Sequence, residues 1–216
     1  MKMKRLAVST LAASVLTMGA MVSTAQAEME VSAEVGASSM YLWRGENLGG
    51  GAAVWGDLSV SAAGFYAGMW TSSGDAYDAN ENSGGVEYDI YLGYATEFGD
   101  FGIDIGYATY VYPQTKVEAG KNAEAYLGLS YGPASLTYFH GLEDLKDDWY
   151  AVAAVDVSSL TFAYGAAKNE KAHVDVTYNY NDNLSFTLSK VVKKDKAGEV
   201  PDDVNFMVSV SLPIEF

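Results

Sequence analysis

From Val204 to the last residue, every second side chain is apolar: Val204, Phe206, Val208, Val210, Leu212, Ile214 and Phe216. Between them stand Asn205, Met207, Ser209, Ser211, Pro213 and Glu215. A period of two is the period of a strand with one apolar face, and a helix cannot satisfy it. The same alternation recurs upstream. Val86, Tyr88, Ile90, Leu92 and Tyr94 alternate with Glu87, Asp89, Tyr91 and Gly93. Phe101, Ile103, Ile105 and Tyr107 alternate with Gly102, Asp104 and Gly106, and Val174, Val176 and Tyr178 alternate with His173, Asp175 and Thr177. Val31, Ala33, Val35, Tyr41 and Trp43 continue the pattern near the start.

Twelve strands are predicted, at 30–44, 51–62, 64–72, 86–98, 101–112, 122–132, 134–141, 148–157, 160–167, 171–181, 184–193 and 203–216. Their connections alternate in length. Tight ones fall at 62–64, 99–100, 132–133, 158–159 and 182–183, and longer ones at 45–50, 73–85, 113–121, 142–147, 168–170 and 194–202. An even strand number with a short–long rhythm fits an all-β, antiparallel up-and-down barrel that crosses a membrane. Soluble sandwiches and lipocalin-like barrels also alternate, but they turn the apolar face into one core and do not require that rhythm.

The N-terminus agrees with export. Lys2, Lys4 and Arg5 precede an uncharged apolar stretch from Leu6 to Val22, and Ala25-Gln26-Ala27 supplies small residues for cleavage. Residues 1–27 read as a cleaved signal peptide and 28–216 as the barrel. Beyond residue 27 the chain has 10 Lys and Arg against 28 Asp and Glu, a net charge of −18. Such a surface repels phosphate backbones, so nucleic acid is excluded as a partner. There is no cysteine. No run of 18 apolar residues follows residue 27, which excludes a transmembrane helix although 49% of the residues are hydrophobic. The expected location is the outer membrane of a Gram-negative cell. Lipid offers backbone groups no hydrogen-bond partner, so a sheet there must close on itself. The short turns and both termini then lie on the periplasmic side.

Three features fit less simply. Pro213 cannot donate to a ladder and belongs at a rim. Lys190 falls on the apolar parity and must snorkel, sit among headgroups or mark a bulge. The strand 64–72 shows no clear face. Gly36, Gly93, Gly102, Gly106, Gly128 and Gly165 take the polar parity, where each leaves room for water or for a neighbouring tyrosine.

Several segments together resemble the TorF-type porin family of proteobacteria. They are Tyr41-Leu42-Trp43-Arg44-Gly45, Gly64-Phe65-Tyr66-Ala67-Gly68-Met69-Trp70, the strand from Val86 to Tyr94, the segment from Glu124 to Pro133, and Phe216. The resemblance implies an outer-membrane barrel with a pore, and it carries no catalytic residue. After Gly45 the family favours a Ser-rich turn, whereas this chain has Glu46-Asn47-Leu48-Gly49-Gly50-Gly51.

Candidate chemistry lies mainly on the polar face. By parity Arg44, Asp57, Glu87, Asp89, Asp104, Glu124, Asp156 and Asp175 point into the lumen and are the expected selectivity residues. Glu30, Glu34, Glu97 and Glu215 join them, and only Arg44 and Lys193 oppose. Arg44 is expected on the polar face of the first strand near the outer mouth, bracing the wall or holding an anionic solute group. Carboxylates in a low-dielectric wall favour cations over anions. Val210, Leu212, Ile214 and Phe216 form the expected signal for the barrel-assembly machinery, read by strand addition. His140 and His173 have no nucleophile motif beside them, so no catalytic residue and no enzyme activity is expected. The acidic loop clusters Asp75/Asp78/Glu81, Glu143/Asp144/Asp147/Asp148 and Glu199/Asp202/Asp203 lack calcium-loop spacing, so no metal and no cofactor is expected.

The function expected is passive diffusion of small solutes, cations preferred, through a barrel in contact with outer-membrane lipid and lipopolysaccharide. Eight strands give a filled interior and 16 to 18 a clear channel, so twelve stand between. The rival is a closed barrel that anchors surface loops. Tyr91, Tyr110, Tyr112, Tyr126 and Tyr150 favour closure, and the inward Gly, Ser and Ala favour a pore.

Overall fold

The computed structural model describes residues 29–48, 51–75, 85–115, 117–194 and 203–216. The expected signal segment lies outside them, as do most of the loop acids between 75 and 84 and between 195 and 202. The barrel strands are β1 (Glu30–Ser38), β4 (Ala53–Ala62), β5 (Phe65–Asp75), β6 (Gly85–Phe98), β7 (Phe101–Val111) and β8 (Asn122–Tyr131). They continue with β9 (Ala134–Glu143), β10 (Trp149–Val157), β11 (Leu160–Ala167), β12 (Ala172–Asn179), β13 (Leu184–Lys193) and β14 (Val204–Ile214). Each pairs antiparallel with its neighbours in sequence, and β1 closes the ring on β14, so the fold is a closed twelve-stranded barrel. Two short strands, β2 (Leu42–Trp43) and β3 (Glu46–Asn47), form a separate hairpin.

The turn end is built by local chemistry. Ala63 and Gly64 connect Ala62 to Phe65 with φ of 52° and 86°, the two positive values that a two-residue type I′ turn needs. Gly99 and Gly132 take positive φ in the next two turns. The opposite, loop end carries the longer connections.

The two faces separate as the parity requires. Val54, Leu58, Leu92, Ile105, Leu188 and Phe206, from five strands around the ring, are each at least half exposed on the outside. An apolar exterior of that extent is a lipid-facing surface, since soluble proteins do not leave it uncovered. Aromatic side chains ring its turn end: Phe65, Phe98, Phe101, Tyr131 and Tyr180 are exposed there. Strand β5 does have a clear face, with Phe65, Ala67 and Met69 outward and Tyr66 and Trp70 buried inside. Its faces are illegible in sequence because aromatics occupy both. Lys190 points outward near the loop end of β13, where it pairs in register with Val204 and Val174.

Inside, Tyr66, Trp70, Tyr91, Tyr126, Phe139 and Tyr150 pack as one cluster. The inward glycines opposite them hold aromatic rings rather than water. A Cβ on Gly93 would stand 2.3 Å from the Tyr66 hydroxyl, and one on Gly106 would meet Tyr126 at 2.3 Å. Each glycine lets a cross-strand ring lie flat on the sheet, a known device for pinning register.

Candidate functional site in the barrel lumen

The first expected strand ends early. After Ser38 the chain leaves the wall, Ser39 still donating its backbone N–H to the Val208 carbonyl of β14 at 2.9 Å. The next nine residues fold inward as the β2–β3 hairpin. Tyr41 and Trp43, assigned to the lipid face by parity, are therefore inside: Tyr41 is 3% exposed and stacks on Trp70 at 6.1 Å. Alternation misplaces them because it holds only while the backbone stays in the sheet.

The hairpin turns at Arg44 and Gly45, whose φ values of 47° and 85° again make a type I′ turn. Arginine is an unfavourable residue there, and the conformation persists because the tip is held from several sides. The Arg44 guanidinium donates to both Glu124 carboxylate oxygens, at 3.0 and 2.5 Å. It lies over the rings of Trp43 and Tyr150, each at 4.3 Å, and of Phe139 at 5.1 Å. Arg44 is thus not on a strand face at the mouth but at the tip of a loop across the lumen. Gly45 packs on His173, where a Cβ would stand 2.5 Å from the histidine Cβ, and its carbonyl accepts from Asn205 at 3.3 Å. Glu46 forms an ion pair with Lys171. Tyr41 donates to Glu87. From a root between β1 and β4, the hairpin reaches β6, β8, β9, β10, β12 and β14.

Lys171 is a lumenal base absent from the residues expected there. It is 8% exposed and has the inward parity of His173 and Asp175, so the signal is present in the sequence. It is the first residue of the expected strand 171–181, standing before the alternation is established, and so it escapes the count of lumenal bases. Lys193, expected in the lumen, instead stands exposed at the loop rim, in register with Ala172 beyond a register shift, and pairs with Glu170 at 3.1 Å.

The expected selectivity carboxylates face inward, but most are already engaged. Tyr91 donates to Asp57 at 2.9 Å, Tyr66 to Asp104 at 2.5 Å and Tyr110 to Glu124 at 2.6 Å. Tyr112 donates to Glu87 at 2.9 Å, and Thr161 to Asp156 at 2.6 Å. His173 Nδ1 meets Asp175 at 3.1 Å while its Nε2 meets the Tyr150 hydroxyl at 2.9 Å. Asp89 is half-buried, between Trp70 and Tyr110 in register. Of these acids only Glu124 pairs with Arg44, and Asp148 of the acidic loop cluster is exposed at the loop rim beside Lys168. The carboxylates and hydroxyls form a cross-linked network, and the arrangement can hold a plug.

His140 lies on the other side of the wall. It is exposed on the outer face of β9 and stacks on Tyr138 at 6.5 Å, so the two histidines share no site. No group of three or more His, Asp and Glu among the described residues is placed to hold a metal ion.

Two solved structures of similar shape are the outer membrane phospholipase A from Escherichia coli and the outer membrane phospholipase dimer of Salmonella typhi with bound calcium. The first is 10% identical, with a TM-score of 0.44, covering 85% of this chain and 92% of that one. The second is 12% identical, with a TM-score of 0.43, covering 85% and 90%. Both are enzymes, which corrects the expectation that this chain has no enzyme activity, and that exclusion is withdrawn. The likeness concerns the barrel alone, and no activity is carried across. No curated protein matches the chain. The family model described as "Bacterial protein of unknown function (Gcw_chp)" matches residues 22–187, most of the barrel and the whole of the β2–β3 hairpin, and the chain belongs to that family.

Proposed function

We propose that this chain is an outer-membrane barrel kept closed by its own hairpin, which anchors and presents the loops of its loop end. The observation that carries the reading is the β2–β3 hairpin seated across the lumen, with Arg44 on Glu124 and Lys171 on Glu46. A charge pair withdrawn from water stays in place only while its geometry is satisfied, so these contacts hold the plug in one position. Around it the wall leaves little space: Thr187 and Ser189 are fully buried, and Met207 is 1% exposed. The N-terminal export pattern and the apolar exterior support an outer-membrane location. In that setting the loop end faces outward among lipopolysaccharide, and β14 with Phe216 is the strand offered to the assembly machinery.

A second reading, a cation-preferring pore of the TorF type, is favoured by the inward carboxylates. Glu34, Asp57 and Asp104 remain partly exposed within the lumen. This pore would conduct only when the hairpin withdraws.

The experiment is single-channel recording in a planar bilayer, comparing the parent with Arg44→Ala. The parent is expected to conduct little, and the variant to open more often. Its reversal potential in a KCl gradient should show cation preference. Steady conduction by the parent equal to that of the variant would overturn the plug. Silence from both would remove the pore reading and leave the closed barrel. Assembly is tested separately: Leu212→Asp with Ile214→Asp puts two charges on the lipid face, each costing less than the roughly 2–4 kcal/mol of a Lys or Arg at the bilayer midplane. The heat-modifiable gel band of the folded barrel should then be lost from the membrane fraction.

A further inference from the structure

The basic residues of this acidic chain are not spread evenly. Every described lysine and arginine lies in or near a loop-end connection, and none lies in a turn-end connection. Arg44 and Lys171 are taken up by the hairpin. Lys190 is exposed on the outer wall itself, and Lys121 and Lys146 line a groove of about 580 Å³.

That groove is built into the outer face. In register across β7, β8 and β9 stand Tyr107, Ala125 and His140, so a small residue separates two rings. One step toward the loops Ala123 forms the floor, with Leu142 beside it. The loop from 117 to 121 and the turn from 143 to 148 roof it. The two are tied together by the Asp144 N–H, which donates to the Lys121 carbonyl at 3.0 Å, and the loop is tied to β7 by the Gly120 N–H, which donates to the Thr109 hydroxyl at 2.9 Å. Below the groove, toward the turn end, the same wall shows exposed Ile105, Leu127 and Leu136. Beside it Tyr138 stacks on Trp149 at 6.4 Å, the pairing of an interfacial aromatic belt.

We propose that this groove binds an amphiphile of the surrounding leaflet, its phosphate between Lys121, Lys146 and His140 and its acyl chain along Ile105 and Leu127. Cationic and apolar surfaces meet here in the order in which a lipid carries phosphate and hydrocarbon. Free phosphate would use only the upper part. Glu143 is the counter-charge, 3.5 Å from Lys121. The Lys121 side chain is about half exposed and that of Glu143 more so, so their mutual attraction is small and a phosphate can replace it. Asp144, Asp147 and Asp148 are exposed on the turn and face water.

The test is native mass spectrometry of the full mature protein released from neutral maltoside micelles, after titration with monododecyl phosphate or, separately, with inorganic phosphate. One saturable dodecyl phosphate is expected per barrel, with inorganic phosphate binding far more weakly. Lys121→Gln with Lys146→Gln should weaken the amphiphile at least about tenfold, which is about 1.4 kcal/mol for the two contacts together. Glu143→Gln should tighten it. Lys193→Gln with Lys194→Gln, away from the groove, should leave it unchanged. Unheated gel mobility verifies that each variant is folded. An unchanged affinity in the Lys121/Lys146 variant, or an equal loss in the Lys193/Lys194 variant, overturns the site. Inorganic phosphate binding as tightly as the amphiphile overturns the lipid and leaves a simple anion site.

Discussion

The two sides of the lumen wall are made of different side chains. From β5 to β10 the wall is aromatic: Tyr66, Trp70, Tyr91, Tyr126, Phe139 and Tyr150 lean inward, and the hydroxyls of Tyr66, Tyr91 and Tyr126 end on Asp57 and Asp104 or on one another. From β12 through β14 to β1 the wall is small and hydroxylic: Thr177, Ser185, Thr187, Ser189, Ser209, Ser211 and Ser38 are all buried. Neither side fills a twelve-stranded barrel alone. Large rings on one wall reach toward small groups on the other, and the hairpin bridges them. Its arginine takes the aromatic side through Glu124, Phe139 and Tyr150, while Gly45 and Glu46 take the other through His173, Asn205 and Lys171. Closure is therefore a property of both walls and the plug together. One ion pair holds the hairpin on each side, Arg44 with Glu124 and Glu46 with Lys171, but the wall itself is held by charge and shape on the aromatic side and mainly by shape on the hydroxylic side.

The largest effect should come from breaking the charge on the aromatic side. Glu124→Leu leaves the Arg44 guanidinium buried without its partner, and the loss of one member of such a pair costs about 3–5 kcal/mol. It also removes the acceptor of the Tyr110 hydroxyl. The midpoint of urea unfolding in detergent, followed by unheated gel mobility, should fall sharply. Glu97→Leu, at the exposed turn end, should change it by no more than about 0.5 kcal/mol. Adding Arg44→Leu to Glu124→Leu should recover much of the loss. If the double variant is as unstable as the single, the pair is not what holds the tip.

The next effect tests the rings. Gly93→Ala sets a methyl 2.3 Å from the Tyr66 hydroxyl and 2.7 Å from the Ile105 carbonyl. The backbone contact cannot be relieved by turning a side chain, so overpacking of about 1–3 kcal/mol is expected. Gly56 faces outward, and a methyl there meets only the Glu34 carbonyl at 3.6 Å and Val35 at 3.8 Å. Gly56→Ala should be neutral or mildly stabilising, as alanine is less costly than glycine in a strand. Equal destabilisation of the two would mean that the inward glycines serve backbone geometry and not ring packing.

The same contrast explains what the sequence could show. Parity is a property of the pleat, so the twelve strands and the facing of Glu87, Glu124, Asp156 and Asp175 follow from the order of residues alone. The ranges 160–167 and 184–193 agree to the residue with β11 and β13. Lys171 is legible in principle from the same parity. The hairpin is not. Tyr41 and Trp43 keep the alternation after the backbone has left the sheet, and no periodicity records that departure. The only local sign is Arg44-Gly45 between two pairs of residues able to form a ladder. Partners across the lumen, such as Arg44 with Glu124 or Lys171 with Glu46, are 80 and 125 residues apart and depend on barrel closure. Which carboxylates are free to meet a passing ion and which are held by tyrosines is likewise a result of packing.

The smallest effects belong to the hydroxylic wall and decide whether it is held by shape alone. Thr177 and Thr187 share a hydrogen bond of 2.9 Å across β12 and β13, both fully buried. Thr177→Val keeps the shape, removes one hydroxyl and leaves the other unsatisfied, at a cost of about 1–3 kcal/mol. Ser189 stands two residues further along β13, and its hydroxyl finds no partner although it is fully buried. Ser189→Ala removes an unsatisfied polar atom and little volume, so stability should hold or rise by about 1 kcal/mol or less. The urea midpoint of the folded band measures both. A wall held by shape apart from that one hydrogen bond predicts a loss for Thr177→Val and none for Ser189→Ala. A clear loss on Ser189→Ala would mean that its hydroxyl has a bound partner in the lumen, and that this side, too, is held by polar contacts.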